Sequence, residues 1–210
     1  MYTPESFRES DRSVAFDLID AYGFATLLSG SARDPAISHV PMILDQPASG
    51  QARLLGHVAR ANQHWRRFDG TEPAAAIFRG PHAYVSPSWY ANHPSVPTWN
   101  YVVVHVHGTP SVLSSHETWG ILRRLIEKYE ARRDNPWKGE LPPDFVEEDL
   151  KAIVGFQLHV HRLEAKFKLS QNKDEADRSG ALAGLEREGD AEGRALAAFA
   201  RGYFERKNGC

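Results

Sequence analysis

With 210 residues, 25 Lys plus Arg against 27 Asp plus Glu and 41% hydrophobic side chains, the chain has the make-up of a globular domain with one core or two small ones. Its longest apolar stretches, such as Tyr101 to Val104, fall far short of the roughly 18 to 20 residues a spanning helix needs, and a mean hydropathy of -0.48 agrees, so no membrane role is expected. Residues 1 to 110 carry 8 basic and 9 acidic side chains and residues 111 to 210 carry 17 and 18, so neither half has the basic surplus of a dedicated nucleic-acid binder. Any DNA contact must use a local patch, a dimer surface or a partner.

The start, Tyr2 to Arg8, has no basic and apolar leader, the one cysteine is Cys210, and no asparagine heads a glycosylation sequon. A reducing cytoplasm is the expected location. Thr3 and Pro4 resemble an N-cap followed by a proline at the first helical position. A better helix starts at Ser10, with Val14, Leu18 and Tyr22 on one face and Gly23 in the place of a C′ residue. Strand patterns follow over Phe24 to Leu28, Ile37 to Leu44, Arg53 to Val58, Ala74 to Phe78 and Ala83 to Val85, with turn-forming residues between nearly all of them.

Trp99 to His107 alternates most clearly of all, and Gly108-Thr109-Pro110 either closes that strand or bends it. The box Ser114-x-x-Glu117 opens a helix carrying Leu122, Leu125, Ile126 and Tyr129, and Asp144-x-x-Glu147 opens a shorter one. Arg132 to Gly139 reads as a loop between them. Phe156 to Leu169 alternates as a late strand, and from Asp174 the composition predicts two helices broken near Gly189. Strands that do not alternate with helices as βαβ units disfavour a parallel doubly wound sheet and favour an antiparallel barrel or sandwich.

Signatures of the commoner enzymes are missing, among them G-x-G-x-x-G, G-x-S-x-G, H-E-x-x-H and C-x-x-C. His105-x-His107 and His159-x-His161 each set two imidazoles on one strand face, which suits either a shared metal or ordinary half-exposed histidines. Arg60 to Arg67, with Asn62 as N-cap, is either a phosphate-binding helix start or a solvated basic turn. The aromatics, prolines and hydroxyls of Gly80 to Tyr90 and Val96 to Tyr101 form either a wall for a planar heterocycle or an aromatic core or interface. Arg124, Lys128 and Arg132 make a basic helical stripe, suited to DNA phosphates or simply to water.

The strings Met1-Tyr2-Thr3-Pro4, Ser38-His39-Val40-Pro41, Gly56-His57-Val58-Ala59-Arg60-Ala61-Asn62, Gly80 to Tyr90, Val96 to Tyr101 and Lys168-Leu169-Ser170-Gln171-Asn172 carry a resemblance through most of the chain. Through them the chain resembles the FMN-binding negative transcriptional regulators of the PaiB type, whose fold is the FMN-binding split β-barrel. The resemblance implies an α+β, mainly β, fold, with the barrel and inserted helices over residues 1–170 and a helical extension packed on it over 171–210. It implies a homodimer with FMN at the subunit interface, and a role on DNA or on a DNA-bound partner. Ser38, His39 and Val40 would lie beside the flavin ring, His57 and Val58 near the ribityl chain, and Arg60 and Asn62 at the phosphate. Ser86, Ser88 and Trp89 would come from the partner subunit, with Thr98, Trp99, Asn100, Lys168 and Gln171 bordering the site. Oxidase relatives place a run of cations at the phosphate, whereas Arg60 is followed here by Asn62, Gln63 and His64, which predicts weaker phosphate binding. The other functions the scaffold allows are a flavin-dependent oxidoreductase using NAD(P)H and a binder of haem or small aromatics.

Overall fold

The computed structural model describes residues 1–48 and 50–208, so Cys210 lies outside the described residues. A 3-10 turn, Glu5–Phe7, leads into the strand β1 (Arg8–Glu9) and the helix α1 (Arg12–Ala21), followed by β2 (Phe24–Ser31), β3 (Asp34–Asp45), β4 (Arg53–Ala59), β5 (Ala74–Val85) and β6 (Thr98–Val112). Helices α2 (Ser115–Glu130) and α3 (Pro143–Lys151) precede β7 (Ile153–Lys168), and α4 (Glu175–Glu188) and α5 (Ala191–Asn208) end the chain. The sheet runs β1-β7-β4-β3-β2-β5-β6, with a further β7–β6 pairing that joins its far strand back to β7. The strands pair antiparallel, for example Thr26↔His39, Ile43↔Leu55 and Leu55↔Gln157. The mainly antiparallel, α+β class read from the sequence is the one found.

Two compact units emerge from the contacts, one of residues 1–15, 79–104 and 164–210, the other of residues 16–78 and 105–163. In the latter, Leu27, Met42, Leu54, Phe78, Phe156 and Leu158 are fully buried, because period-2 alternation turns them to one face. Ile43 and Leu55 point the other way, paired across β3 and β4, and are covered by Ile121 and Leu125 of α2. In the former, Phe167 is fully buried with its ring centroid 5.5 Å from those of Phe199 and Tyr203, which fastens α5 to the end of β7.

Several boundaries differ from the sequence expectations for identifiable reasons. Ala74 to Phe78 and Ala83 to Val85 are one strand, β5, which continues through Gly80 and Pro81. Gly108-Thr109-Pro110 neither closes nor ends β6: a Cβ on Gly108 would stand 1.8 Å from the His159 carbonyl oxygen, so the glycine admits β7 at close range. The Ser114 box forms as expected, but α3 begins at Pro143 after Pro142, with no side-chain cap from Asp144. Pro4 is itself the N-cap of the first turn, α1 starts at Arg12 with Asp11 accepting from the Ser13 N–H, and Gly23 lies outside the left-handed region.

Candidate functional site

Polar groups converge where β3 and β4 part. Their ladder runs from Asp45↔Arg53 to Met42↔Gly56 and stops beside Pro41, which has no N–H to offer. Beyond that point β3 carries Ser38, His39 and Val40, and β4 carries His57 and Val58 and leads to Arg60. Ser38 is buried, and its Oγ lies 2.9 Å from His64 Nδ1 and accepts from Asn62 Nδ2 at 2.9 Å. His64 Nε2 lies 2.9 Å from Ser29 Oγ, and Asn62 Oδ1 accepts from the His64 N–H at 3.0 Å. Burial holds the His64 pKa below the usual histidine value, and the nearby Arg67 guanidinium adds to this, so both favour the neutral ring. Asn62 therefore caps the 3-10 turn Gln63–Arg67, as its place in the sequence predicts.

The neighbouring expected residues are more open. His39 is exposed, with Nδ1 3.1 Å from Thr26 Oγ1 and its ring stacked on Phe24, while Val40 and Val58 are buried. Arg60 is exposed and donates from Nε to the Lys151 carbonyl at 2.6 Å and from Nη2 to the Ile153 carbonyl at 2.9 Å, with Trp65 under its guanidinium. It thus holds the end of α3 and the start of β7. His57 is half-buried, its pKa pushed down by burial, and its buried Nδ1 has no hydrogen-bond partner.

The remaining expected residues lie in the other unit. Ser86 caps the turn Pro87–Trp89, with its Oγ 2.7 Å from that of the exposed Ser88. Trp89 donates from Nε1 to Glu188 at 3.2 Å and is seated on glycines: a Cβ on Gly184 would come within 2.2 Å of its ring. Lys168 donates to Thr98 Oγ1 and, at 2.8 Å, to the Trp99 carbonyl, and burial lowers its pKa, helped by Lys166. Asn100 is buried and donates to Ser170 Oγ at 2.9 Å, leaving its buried Oδ1 without a partner. Ser170 itself is left-handed, with φ 67°, and Gln171 braces that turn through the Phe167 carbonyl and the Leu169 N–H. Trp99 is 55% exposed.

Two other groups read from the sequence take definite places. The rings of His105 and His107 stand 6.3 Å apart on β6, and His159 pairs with Arg53 on β4. In the basic stripe, Arg124 is paired with Asp45 at 2.9 Å and Lys128 with Asp20 at 2.7 Å. Burial pushes the Asp45 carboxyl up, but hydrogen bonds from Arg53 and Arg124 outweigh it and hold the carboxyl below its usual range. His64 was absent from the expected site. Its signal was Ser29, a polar residue on the buried face that Ala25 and Leu27 share, which had to find a partner.

The orphan imidazole nitrogen of His57 suits a flavin, whose ribityl hydroxyls both donate and accept hydrogen bonds, and Arg60, in the same unit, suits a phosphate. Comparison with known proteins points the same way. The chain is 35% identical over 199 residues to the protease synthase and sporulation protein PAI 2 of Bacillus subtilis, covering 94% of this chain and 95% of that one. Its fold is similar to that of the FAD and heme binding protein from Mycobacterium smegmatis, with TM-score 0.60, 17% identity and coverage of 83% and 79%. The flavocytochrome Anf3 from Azotobacter vinelandii is similar at TM-score 0.58 and 13% identity, with coverage of 82% and 75%. The family model described as "Putative FMN-binding domain" matches residues 1–162, and the chain belongs to that family.

Proposed function

We propose that this protein is a cytoplasmic homodimer that binds FMN and acts as a negative regulator of transcription. The observation that carries the reading is the parting of β3 and β4, where the orphan His57 Nδ1, the braced Ser38 and Asn62 and the exposed Arg60 are gathered. Ser38, His39 and Val40 would flank the flavin ring, His57 and Val58 the ribityl chain, and Arg60 and Asn62 the phosphate. FMN supplies redox chemistry when bound. The chain's own residues orient it: His57 offers one hydrogen bond, and His64 holds the Ser38 hydroxyl in place.

The outer face of β2 and β3 would seat the second subunit. Phe24 is paired with Pro41, Thr26 with His39 and Leu28 with Ile37, and Phe24 and Ile37 are 67% and 56% exposed. A sheet face this apolar gains by being covered. A partner seated there would bring Ser86, Ser88 and Trp89 to the flavin, with Thr98, Trp99, Asn100, Lys168 and Gln171 at its border. The helices from residue 171 form an extension packed on the barrel, a reading supported by the Phe167 contacts of α5.

Repression through a DNA-bound partner accounts best for the charges. Arg124 and Lys128 are spent on Asp45 and Asp20, and in the tail Arg201 is spent on Glu186 and Lys207 on Glu9. Such cations are poorly placed to displace counterions from phosphates. FMN should raise the melting temperature and give a flavin absorption band in a species of dimeric mass. A ligand at a hundredfold excess over its Kd adds about 2.7 kcal/mol to stability. A colourless monomer whose melting FMN leaves unmoved defeats the proposal, and flavin bleaching by NADPH at a catalytic rate replaces it with an oxidoreductase.

A further inference from the structure

A cleft of about 410 Å³ lies wholly within the unit that holds α4 and α5. This volume falls in the range of small-molecule sites, roughly 300 to 1,000 Å³. One side is aromatic. His82 and Tyr84 of β5 meet Trp99 of β6, with ring centroids 6.3 and 6.2 Å from it, and Trp89 adds a further wall. Tyr84 and Trp99 are 46% and 55% exposed, so two ring systems with hydrophobic area to bury face this space.

The other side is acidic. Glu188, Asp190 and Glu192 come from the junction of α4 and α5, and no Lys or Arg is among the lining residues. Asp190 is occupied in capping Gly193, and Glu188 is paired with Arg187 and accepts from Trp89. Glu192 is the least committed. Its Oε2 stands 3.5 Å from His82 Nδ1, which forms no hydrogen bond to it or to any other group. Gly180 and Gly184 fix the Trp89 wall, since a Cβ on either would enter its carbonyl or its ring at 2.2 Å. The cleft is therefore built before any ligand arrives.

We propose that this cleft binds an organic ammonium ion, held by the faces of Trp99 and Tyr84 and balanced by Glu192. Aromatic faces attract cations through their quadrupole, the more so as the cation loses water, and carboxylates repel the anionic alternatives. Trp89 and Trp99 also stand at the border of the flavin in the function proposed above, so FMN and the ammonium ion must bind side by side.

Choline and its neutral, isosteric counterpart 3,3-dimethylbutan-1-ol separate charge recognition from simple hydrophobic burial. Each is titrated into flavin-free and FMN-treated protein and followed by tryptophan fluorescence and calorimetry, with FMN binding read independently in the flavin absorption band. Choline should bind about tenfold more tightly than the alcohol, a difference of ~1.4 kcal/mol. Trp99→Ala should abolish that preference and Glu192→Gln should reduce it several-fold, while Trp137→Ala, an exposed tryptophan in the other unit, should leave it intact. Equal affinity for choline and the alcohol, no choline binding, displacement of choline by FMN, or full binding by both folded cleft variants overturns the inference.

Discussion

His64 Nδ1 and Ser38 Oγ lie 2.9 Å apart, 26 residues from one another in sequence and both buried. The bond ties the turn after β4 to the middle of β3. Ser38 also accepts from Asn62, and Asn62 accepts from the His64 backbone, so three side chains close one small ring of hydrogen bonds. Two groups expected to touch a flavin are thus first of all held by a buried histidine.

His64→Ala should destabilise the protein by about 2 to 4 kcal/mol. It strands the hydroxyl of Ser29, at ~1 to 3 kcal/mol for a buried unsatisfied group, leaves Ser38 with the Asn62 bond, and empties the space beside Phe68, whose ring lies 5.1 Å away. Urea unfolding measures it, and a loss below the error of the midpoint would show the ring of bonds to be idle. The native protein should also lose stability as pH falls. Folded His64 and His57 both have pKa values below 6.5, so the unfolded chain takes up protons first. Their contribution is complete above pH 6.5 and shrinks as pH drops below it, and His64→Ala should flatten that slope.

Gly184 and Gly120 make a matched pair of helix glycines with opposite expectations. A Cβ at Gly184 would enter the Trp89 ring, whereas one at Gly120 meets nothing within 4 Å. Gly120→Ala should stabilise α2 by about 0.5 to 1 kcal/mol, through helix propensity alone. Gly184→Ala should destabilise by about 1 to 3 kcal/mol despite the same propensity gain, because the indole must leave its seat. Thermal melts separate the two, and the displaced Trp89 should lose its bond to Glu188 and show red-shifted emission.

How much of this was legible depends on how local the cause was. The Ser114 capping box, the strand from Trp99 and the break near Gly189 follow from neighbouring residues, and it is the family strings that set Ser38, His57 and Arg60 as expected neighbours of a flavin. The continuation of β6 through Gly108 was not legible, because its reason is a carbonyl on β7 some fifty residues later. Likewise, Arg60 reads as a phosphate cation, yet its guanidinium is bonded to carbonyls 91 and 93 residues away. Such long-range partners leave no periodicity behind them.

Arg60 consequently has two roles that substitution should separate. Arg60→Ala should weaken FMN binding by tenfold or more, the loss of about one charge-assisted pair at ~1.5 to 3 kcal/mol, and should also loosen the end of α3 by releasing Lys151 and Ile153. Arg60→Lys keeps the charge but cannot span both carbonyls with a planar fork. It should retain more FMN affinity than stability. Flavin titration and melting of both variants decide the matter, and equal affinity for FMN in all three proteins would remove Arg60 from the phosphate.

Tyr203 and Glu9 test how the terminal helix is fastened. The Tyr203 hydroxyl donates to Glu9 Oε2 at 2.8 Å, and Lys207 approaches the same carboxylate at 3.1 Å, whose side chain is 1% exposed. Burial raises the Tyr203 pKa, and the hydrogen bond to Glu9 raises it further, so the phenol stays protonated through the working range. Tyr203→Phe keeps the ring against Phe167 and removes only the donor, leaving a buried carboxylate with Lys207 and the Asp11 N–H. The expected cost is about 1 to 3 kcal/mol. Glu9→Gln in the same background should recover part of it, because a neutral amide is cheaper to bury than an underpaired charge. If the double variant is no more stable than Tyr203→Phe alone, charge burial is not what the tyrosine relieves.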